Sequence, residues 1–150
     1  ALMWGTIQQD AINFGNILHE TIAFIHTKED VDLAIQKATE LGLITFSQNA
    51  IFKEAIETIV NHEELISFFD ADAKVFNEQN IIKKAFKNIK PDRVVVKDNM
   101  AYLLDYKTGE KHNKHKAQLE KYELALQEMK YTVAKKALIY IGESIEIVTL

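Results

Sequence analysis

The sequence predicts a mixed α/β fold of the α+β kind: a three-layer domain on a mixed central sheet, with a helical subdomain in front. Three observations carry that expectation. Apolar residues recur at steps of three and four through the first half of the chain. After Asp70 the pattern changes to short β-rich runs. A single helical pattern then separates two groups of strands, and the order helices, strands, one helix, strands argues for three layers around a mixed sheet. At 150 residues the chain suits one domain with one core, the helical part covering about 7–70 and the sheet with its helix about 73–150.

The elements follow in order. From Ile7, the residues Ala11, Phe14, Leu18, Ile22 and Ile25 form one apolar stripe. Thr27 with Asp30 has the form of a capping box with a shorter acid, opening a second helix. Val31, Ala34, Ile35, Ala38 and Leu41 form its inner face, and Gly42 suits the left-handed position that ends it. Ser47 or Asn49 caps a third helix, with Ile51, Phe52, Ala55, Ile56 and Ile59 inward, and a short fourth helix is expected from His62 to Phe69. Extended segments are expected at 73–82 and 85–89. The clearest strands are Arg93 to Lys97 and Ala101 to Tyr106, joined by Asp98 and Asn99 as a two-residue turn. Thr108 and Gly109 break the second strand. A helix from Asn113 to Met129 buries Leu119, Tyr122, Leu126 and Met129. Two last strands, Ala134 to Ile141 and Ser144 to Val148, meet at Gly142 and Glu143.

Composition excludes several classes of function. Apolar residues make up 47% and charged residues 27%, and the 5 Gly and 1 Pro leave no room for long disordered linkers. No apolar run approaches the ~20 residues that span a bilayer, so no membrane partner is expected. The opening ALMWGTIQQD has neither Met nor a basic start leading into an apolar stretch, and reads as a boundary within a larger protein or a cloning remnant. The absence of Cys excludes disulfides, thiolate nucleophiles and Cys-based metal sites, and fits a cytoplasmic location. A net charge of −4 is not that of a free-standing nucleic-acid binder, so any role on DNA needs a local basic patch or a second domain that delivers the DNA.

The chemistry is read from strand register. With a two-residue turn, Lys97 faces Met100, and counting outward puts Asp92 opposite Asp105. Directly opposed residues project from one face about 5 Å apart at Cβ. Lys107, two residues beyond Asp105, shares that face. Opposed carboxylates repel, and a divalent cation between them turns the liability into a site of hard oxygen ligands suited to Mg²⁺ or Mn²⁺. Spacing alone leaves a solvated strand face, on an α+β domain of another kind, as the alternative. His19 lies at the edge of the first apolar stripe, and His26, His62, His112 and His115 read as surface residues. The stretch from Lys107 to Lys116, KTGEKHNKHK, forms a local basic patch through Lys107, Lys111, Lys114 and Lys116.

These residues also carry a family resemblance. Pro91-Asp92, twelve intervening residues, then Asp105-Tyr106-Lys107 resembles the PD-(D/E)XK nuclease signature. Gly15-x-x-x-His19-Glu20 on the first helix, Asp-Tyr-Lys-Thr-Gly at 105–109, and Gln118-x-x-x-Tyr122 on the later helix resemble its RecB-type branch, the nuclease domain of RecBCD- and AddAB-type helicase–nucleases. The resemblance runs from about Gly15 to Tyr140. It implies a restriction-endonuclease-like core and a Mg²⁺- or Mn²⁺-dependent exonuclease acting on DNA in double-strand break repair and recombination. It also implies a UvrD-like helicase region in the same polypeptide and a partner subunit. On that resemblance Asp92, Asp105, His19, the Tyr106 carbonyl and, as the best match for an upstream acid, Glu78 hold metal. Lys107 is the catalytic lysine, and Gln118 and Tyr122 position DNA, with Lys111, Lys114 and Lys116 beside them. The alternative is a catalytically silent module of the same fold that binds DNA or a partner subunit.

Overall fold

The computed structural model describes residues 4–77, 91–109, 111–142 and 144–150, and side chains are described throughout these except at 4–9 and 76–77. Glu78, Glu143 and the extended segment expected at 85–89 lie outside the described residues. The helical part contains α1 (Trp4–Ile22), α2 (Val31–Glu40) and α3 (Asn49–Val60), linked by short 3-10 turns at Lys28–Asp30 and Phe46–Gln48. The sheet contains β1 (Lys74–Asn77), β2 (Arg93–Lys97), β3 (Met100–Thr108), β4 (Thr132–Ile141) and β5 (Ile145–Thr149), with α4 (Asn113–Glu128) between β3 and β4.

The expected class is observed, a mixed α/β structure on a five-stranded mixed sheet. Strand order is β1-β2-β3-β4-β5. The β3–β4 pair is parallel and the other three are antiparallel. Parallel neighbours cannot be joined by a tight turn, and α4 supplies the crossover. One core lies between the helical part and one sheet face, from Leu18, Ile22, Ala34, Phe52 and Ile56 to Val95, Leu104 and Ile139. A second lies between α4 and the opposite face, from Leu119, Tyr122 and Leu126 to Val94, Leu103 and Leu138. The two cores make three layers. Each fully buried aliphatic side chain there contributes about 1.5–3 kcal/mol. Among the described residues no helix is long and apolar enough to cross a membrane.

Local chemistry explains the boundaries. The N–H groups of His26 and Thr27 donate to Asp30 Oδ2 at 3.0 Å, and Thr27 Oγ1 accepts from Glu29 N–H at 3.2 Å. This is the expected box, closing a 3-10 turn that runs into α2. Gly42 (φ 77°) ends α2, with Leu43 N–H donating to Ala38 O and Gly42 N–H to Thr39 O. Leu41 sits on that turn and is exposed rather than inward. The capping box lies earlier than Ser47 or Asn49: Thr45 N–H donates to Gln48 Oε1 at 2.9 Å, closing the 3-10 turn Phe46–Gln48 that runs into α3, whose first residue is Asn49. Ile51 is exposed rather than inward, while Phe52, Ile56 and Ile59 are buried. Glu63–Phe69 forms a seven-residue 3-10 helix capped by His62, tighter than the expected α-helix. Met129 caps the end of α4 and is exposed.

Two contacts fix the helical part on the sheet. A Cβ added to Gly15 of α1 would stand 2.5 Å from Thr108 Cγ2, so glycine lets α1 lie close on the ends of β3 and β4. Its cost in the helix, about 1 kcal/mol relative to Ala, is offset by that approach. Arg93 of β2 is 0% exposed. Its guanidinium donates to the carbonyls of Phe68 (2.9 Å), Ile25 (2.7 Å) and His26 (2.8 Å) and lies 4.4 Å from the Phe69 ring centroid. A planar fork serves three carbonyls that an ammonium cannot span.

Arg93→Met strands those carbonyls in a dry site. It is expected to lower stability by about 3 kcal/mol or more, a fall in Tm on the order of 10 °C, with Arg93→Lys recovering little of it. Thermal unfolding followed by circular dichroism checks this.

Candidate active site

The turn that places the site is the one expected. Asp98 and Asn99 both have positive φ (51° and 66°), and Lys97 pairs with Met100. The ladder runs out to Arg93 paired with Leu104, and Asp92 follows one step later, beside Asp105. There β2 has ended, and main-chain groups of the two strands bond to side chains instead. Asp92 N–H donates to Asp105 Oδ1 at 3.1 Å, and Tyr106 N–H donates to Asp92 Oδ2 at 2.8 Å. Each acid thus secures the backbone that carries the other.

Further residues close on this pair. His19, in the last turn of α1, places Nε2 3.0 Å from Asp92 Oδ1, and its ring tilts against Tyr106 at 5.0 Å between centroids. Lys107 Nζ lies 2.9 Å from Asp105 Oδ2 and donates to Gln118 Oε1 on α4. Gln118 Nε2 in turn donates to Tyr122 Oη at 2.8 Å. A continuous polar chain therefore runs from His19 through Asp92, Asp105, Lys107 and Gln118 to Tyr122, crossing from α1 over the end of β2 to α4. The Tyr122 ring is buried in the α4 core, as its place on the apolar stripe requires.

The electrostatics of the two acids differ. Burial, a hydrogen bond to Asp92 and the Asp92 charge push Asp105 up to about 7, against the pull of Lys107. For Asp92, burial opposes ionisation, but hydrogen bonds to His19, Asp105 and the Tyr106 amide outweigh it, and the pKa lies below the usual carboxylate value. Like charges about 4 Å apart repel by roughly 4 kcal/mol at an effective dielectric near 20, so one proton held between the two is the lower-energy state. Burial and the two nearby carboxylates push Tyr122 up to about 12, so its hydroxyl stays neutral.

The donor set suits a hard divalent cation. Two carboxylates offer about four lone-pair directions each, and the contacts above occupy about half of them. A neutral imidazole adds a nitrogen ligand. Among the described residues no group of three or more His, Asp or Glu side chains stands as a ready-made cation cage. His19 and Lys107 now hold the oxygens that a cation would share. Glu78, expected as a further ligand, lies outside the described residues.

The basic patch divides. Lys111 is drawn to Glu146 on β5 and lies over the Tyr140 ring, away from the acids. Lys116 is exposed and not part of the groove beside the site. Lys114 lines that groove with Lys107, His115, Ala117, Gln118 and Lys121. Lys121 escaped the sequence reading, although it stands seven residues after Lys114 and so on the same helix face, and His115 was read only as a surface residue. His115 is only partly exposed, its Nδ1 3.0 Å from Tyr140 Oη. Partial burial, Lys107, Lys114 and His112 lower its pKa.

No protein-family model matches the chain, and no curated protein matches it.

In the fold, Asp105 holds its proton to about pH 7, against a reference carboxylate value of 3.8. Its contribution to stability is full below that reference value and is lost as pH rises through 7. Metal-free protein is therefore expected to lose on the order of 5 °C in Tm between pH 5 and pH 8, and Asp105→Asn to flatten most of that fall. A series of melts in EDTA, wild type against variant, measures it.

Proposed function

We propose that the chain is a Mg²⁺- or Mn²⁺-dependent nuclease domain that hydrolyses phosphodiester bonds in DNA. One observation supports this most: a buried carboxyl, Asp105, and a half-buried one, Asp92, abut at the end of β2 with Lys107 against the first and His19 against the second. Such a pair costs stability at neutral pH, and clusters of mutually perturbed acids are characteristic of sites that do chemistry. The motif resemblance around Asp92, Asp105-Tyr106-Lys107 and Gln118-x-x-x-Tyr122 supports the same reading.

Asp92 and Asp105 are the ligands, with His19 and the Tyr106 carbonyl beside them. A divalent cation bound there supplies Lewis-acid polarisation of a phosphoryl oxygen and lowers the pKa of water. The chain's own residues do the rest. Lys107, about four-fifths buried, is held between Asp105 and Gln118 and presents one positive charge where negative charge grows on the phosphoryl group. Gln118 keeps the ammonium in place, and Tyr122 keeps Gln118 in place. Asp105 would have to be ionised to hold a cation, so binding would become easier as pH rises through about 7.

On the motif resemblance alone, the domain belongs to a helicase–nuclease of double-strand break repair and recombination, with an attached motor and a partner subunit, working in the cytoplasm as an exonuclease. A second reading is a silent module that binds DNA or a partner. It is favoured by the completeness of the present network, in which both oxygens of each acid already have protein partners.

A cleavage assay on linear and nicked DNA with Mg²⁺ or Mn²⁺ separates the two. Asp105→Ala and Lys107→Ala are each expected to lower the rate about 100-fold or more. Full activity in both variants would remove this mechanism, and inactivity of the wild type would favour the silent module.

A further inference from the structure

A groove of about 750 Å³ opens beside the acids, along α4. Its lining is Lys107, Lys114, His115, Ala117, Gln118 and Lys121, with three ammonium groups and no carboxylate. Two other surface pockets differ, one lined by Lys28 with Glu29 and Asp70, the other by Lys53 with Glu54 and Glu57. Among the described residues five lysines elsewhere are ion-paired: Lys53 with Asp32, Lys97 with Asp70, Lys111 with Glu146, Lys135 with Glu64 and Lys136 with Glu123. Lys28, Lys37, Lys116 and Lys130 are exposed, and none of them lines this groove. Among the described residues, Lys114 and Lys121 form no ion pair, and both are exposed. On a chain with net charge −4, this is a local and one-signed cationic strip.

Its dimensions select a ligand. Lys114 and Lys121 are seven residues apart on one helix face, about 10.5 Å along α4. Successive phosphates of one strand lie further apart through space than the axial rise of about 3.4 Å per stacked nucleotide, so two ammonium groups at this separation suit two phosphates of one strand. Gln118, one turn from Lys114 and bonded to Lys107, joins the strip to the acids. The residues around Lys107 therefore continue without a break from the proposed chemistry into a row of phosphate-sized positive positions.

We infer that this groove is a backbone-binding track, in which Lys114 and Lys121 hold two phosphates of one nucleic-acid strand leading to Lys107. The track rests on the nuclease reading for its direction, but its binding is separate from catalysis. Lys111 and Lys116, close by in sequence, lie outside it.

The test is binding of a labelled single-stranded oligonucleotide by fluorescence anisotropy, in EDTA, across a salt series. Lys114→Gln with Lys121→Gln is expected to weaken binding at least tenfold at low salt. It should also lower the slope of log affinity against log salt by about 1.4, the loss of two phosphate contacts to a single strand. Lys111→Gln with Lys116→Gln changes net charge equally and is expected to cost less than threefold. Equal losses in the two double variants, or a wild type without salt-dependent binding, would overturn the track. The same sequence as RNA, run in parallel, shows whether the sugar matters to a track that reads only phosphates. Asp105→Asn and a Mn²⁺ titration of the groove variant keep the two proposals apart. If the metal site fails and the track is right, Asp105→Asn still binds the strand. If the track fails and the site is right, the groove variant still binds Mn²⁺ and the losses in strand binding do not follow the groove.

Discussion

Asp98 and Asn99 turn the chain in two residues, both with positive φ, and the rest of the site depends on that constraint. A two-residue turn of this hand matches the twist of the strands and leaves one register. That register brings Asp92 beside Asp105 and sends Arg93 to the opposite face. Because side chains alternate, the same turn serves both faces of β2. On one face the acids meet, and on the other the Arg93 guanidinium ties the carbonyls of Ile25, His26 and Phe68 to the sheet. A slip of one residue would bury a carboxylate among the helices and expose the arginine. The stability of the helical layer and the assembly of the site are thus set by a single geometric choice.

The acids are placed at the one position where their main-chain demands can be met from each other. Where β2 ends, Tyr106 N–H has lost its strand partner and takes Asp92 Oδ2 instead, while Asp92 N–H takes Asp105 Oδ1. These bonds hold the buried Asp105 and the half-buried Asp92 together against their mutual repulsion. His19 and Lys107 then share out the remaining charge from either side. The arrangement is costly as pure architecture, since hydrophobic residues of similar volume would pack there at no electrostatic cost. Under the proposed reading those internal partners would be exchanged for a cation and a phosphate. The close approach of α1 at Gly15 belongs to the same logic, because His19 lies one turn further along that helix.

Much of this was legible in the sequence. The α1 stripe, the Thr27–Asp30 box, the Gly42 stop and the hairpin all come from local rules, and each agrees with its tertiary setting. So does the meeting of Asp92, Asp105 and Lys107, which needed only the turn length. Gln118 and Tyr122 came from motif and helix spacing. Other features depend on distant parts of the chain. The cap before the third helix falls on Thr45 because Gln48 reaches back to it across a 3-10 turn, and Ile51 is exposed where the helices leave one side of α3 uncovered. Leu41 has the right spacing for the core but sits on the turn that Gly42 makes. The chain at Glu63–Phe69 winds more tightly than periodicity can tell. Arg93 was the clearest missed signal, since alternation from Val95 already put it on a core face. The basic run looked uniform, yet Lys111 pairs with Glu146 on β5, while the α4 surface gathers Lys114 with His115, read only as a surface residue, and with the overlooked Lys121.

The central claim is that Asp92 and Asp105 form the seat of a divalent cation. Anomalous diffraction from crystals of the chain soaked in Mn²⁺ near pH 8, where Asp105 has lost its proton, tests it most directly. The account predicts a peak within about 2.3 Å of an oxygen from each carboxylate, with Lys107 Nζ drawn back from Asp105. The absence of any peak at these acids, with the His19–Asp92 and Lys107–Asp105 contacts unchanged, would contradict it.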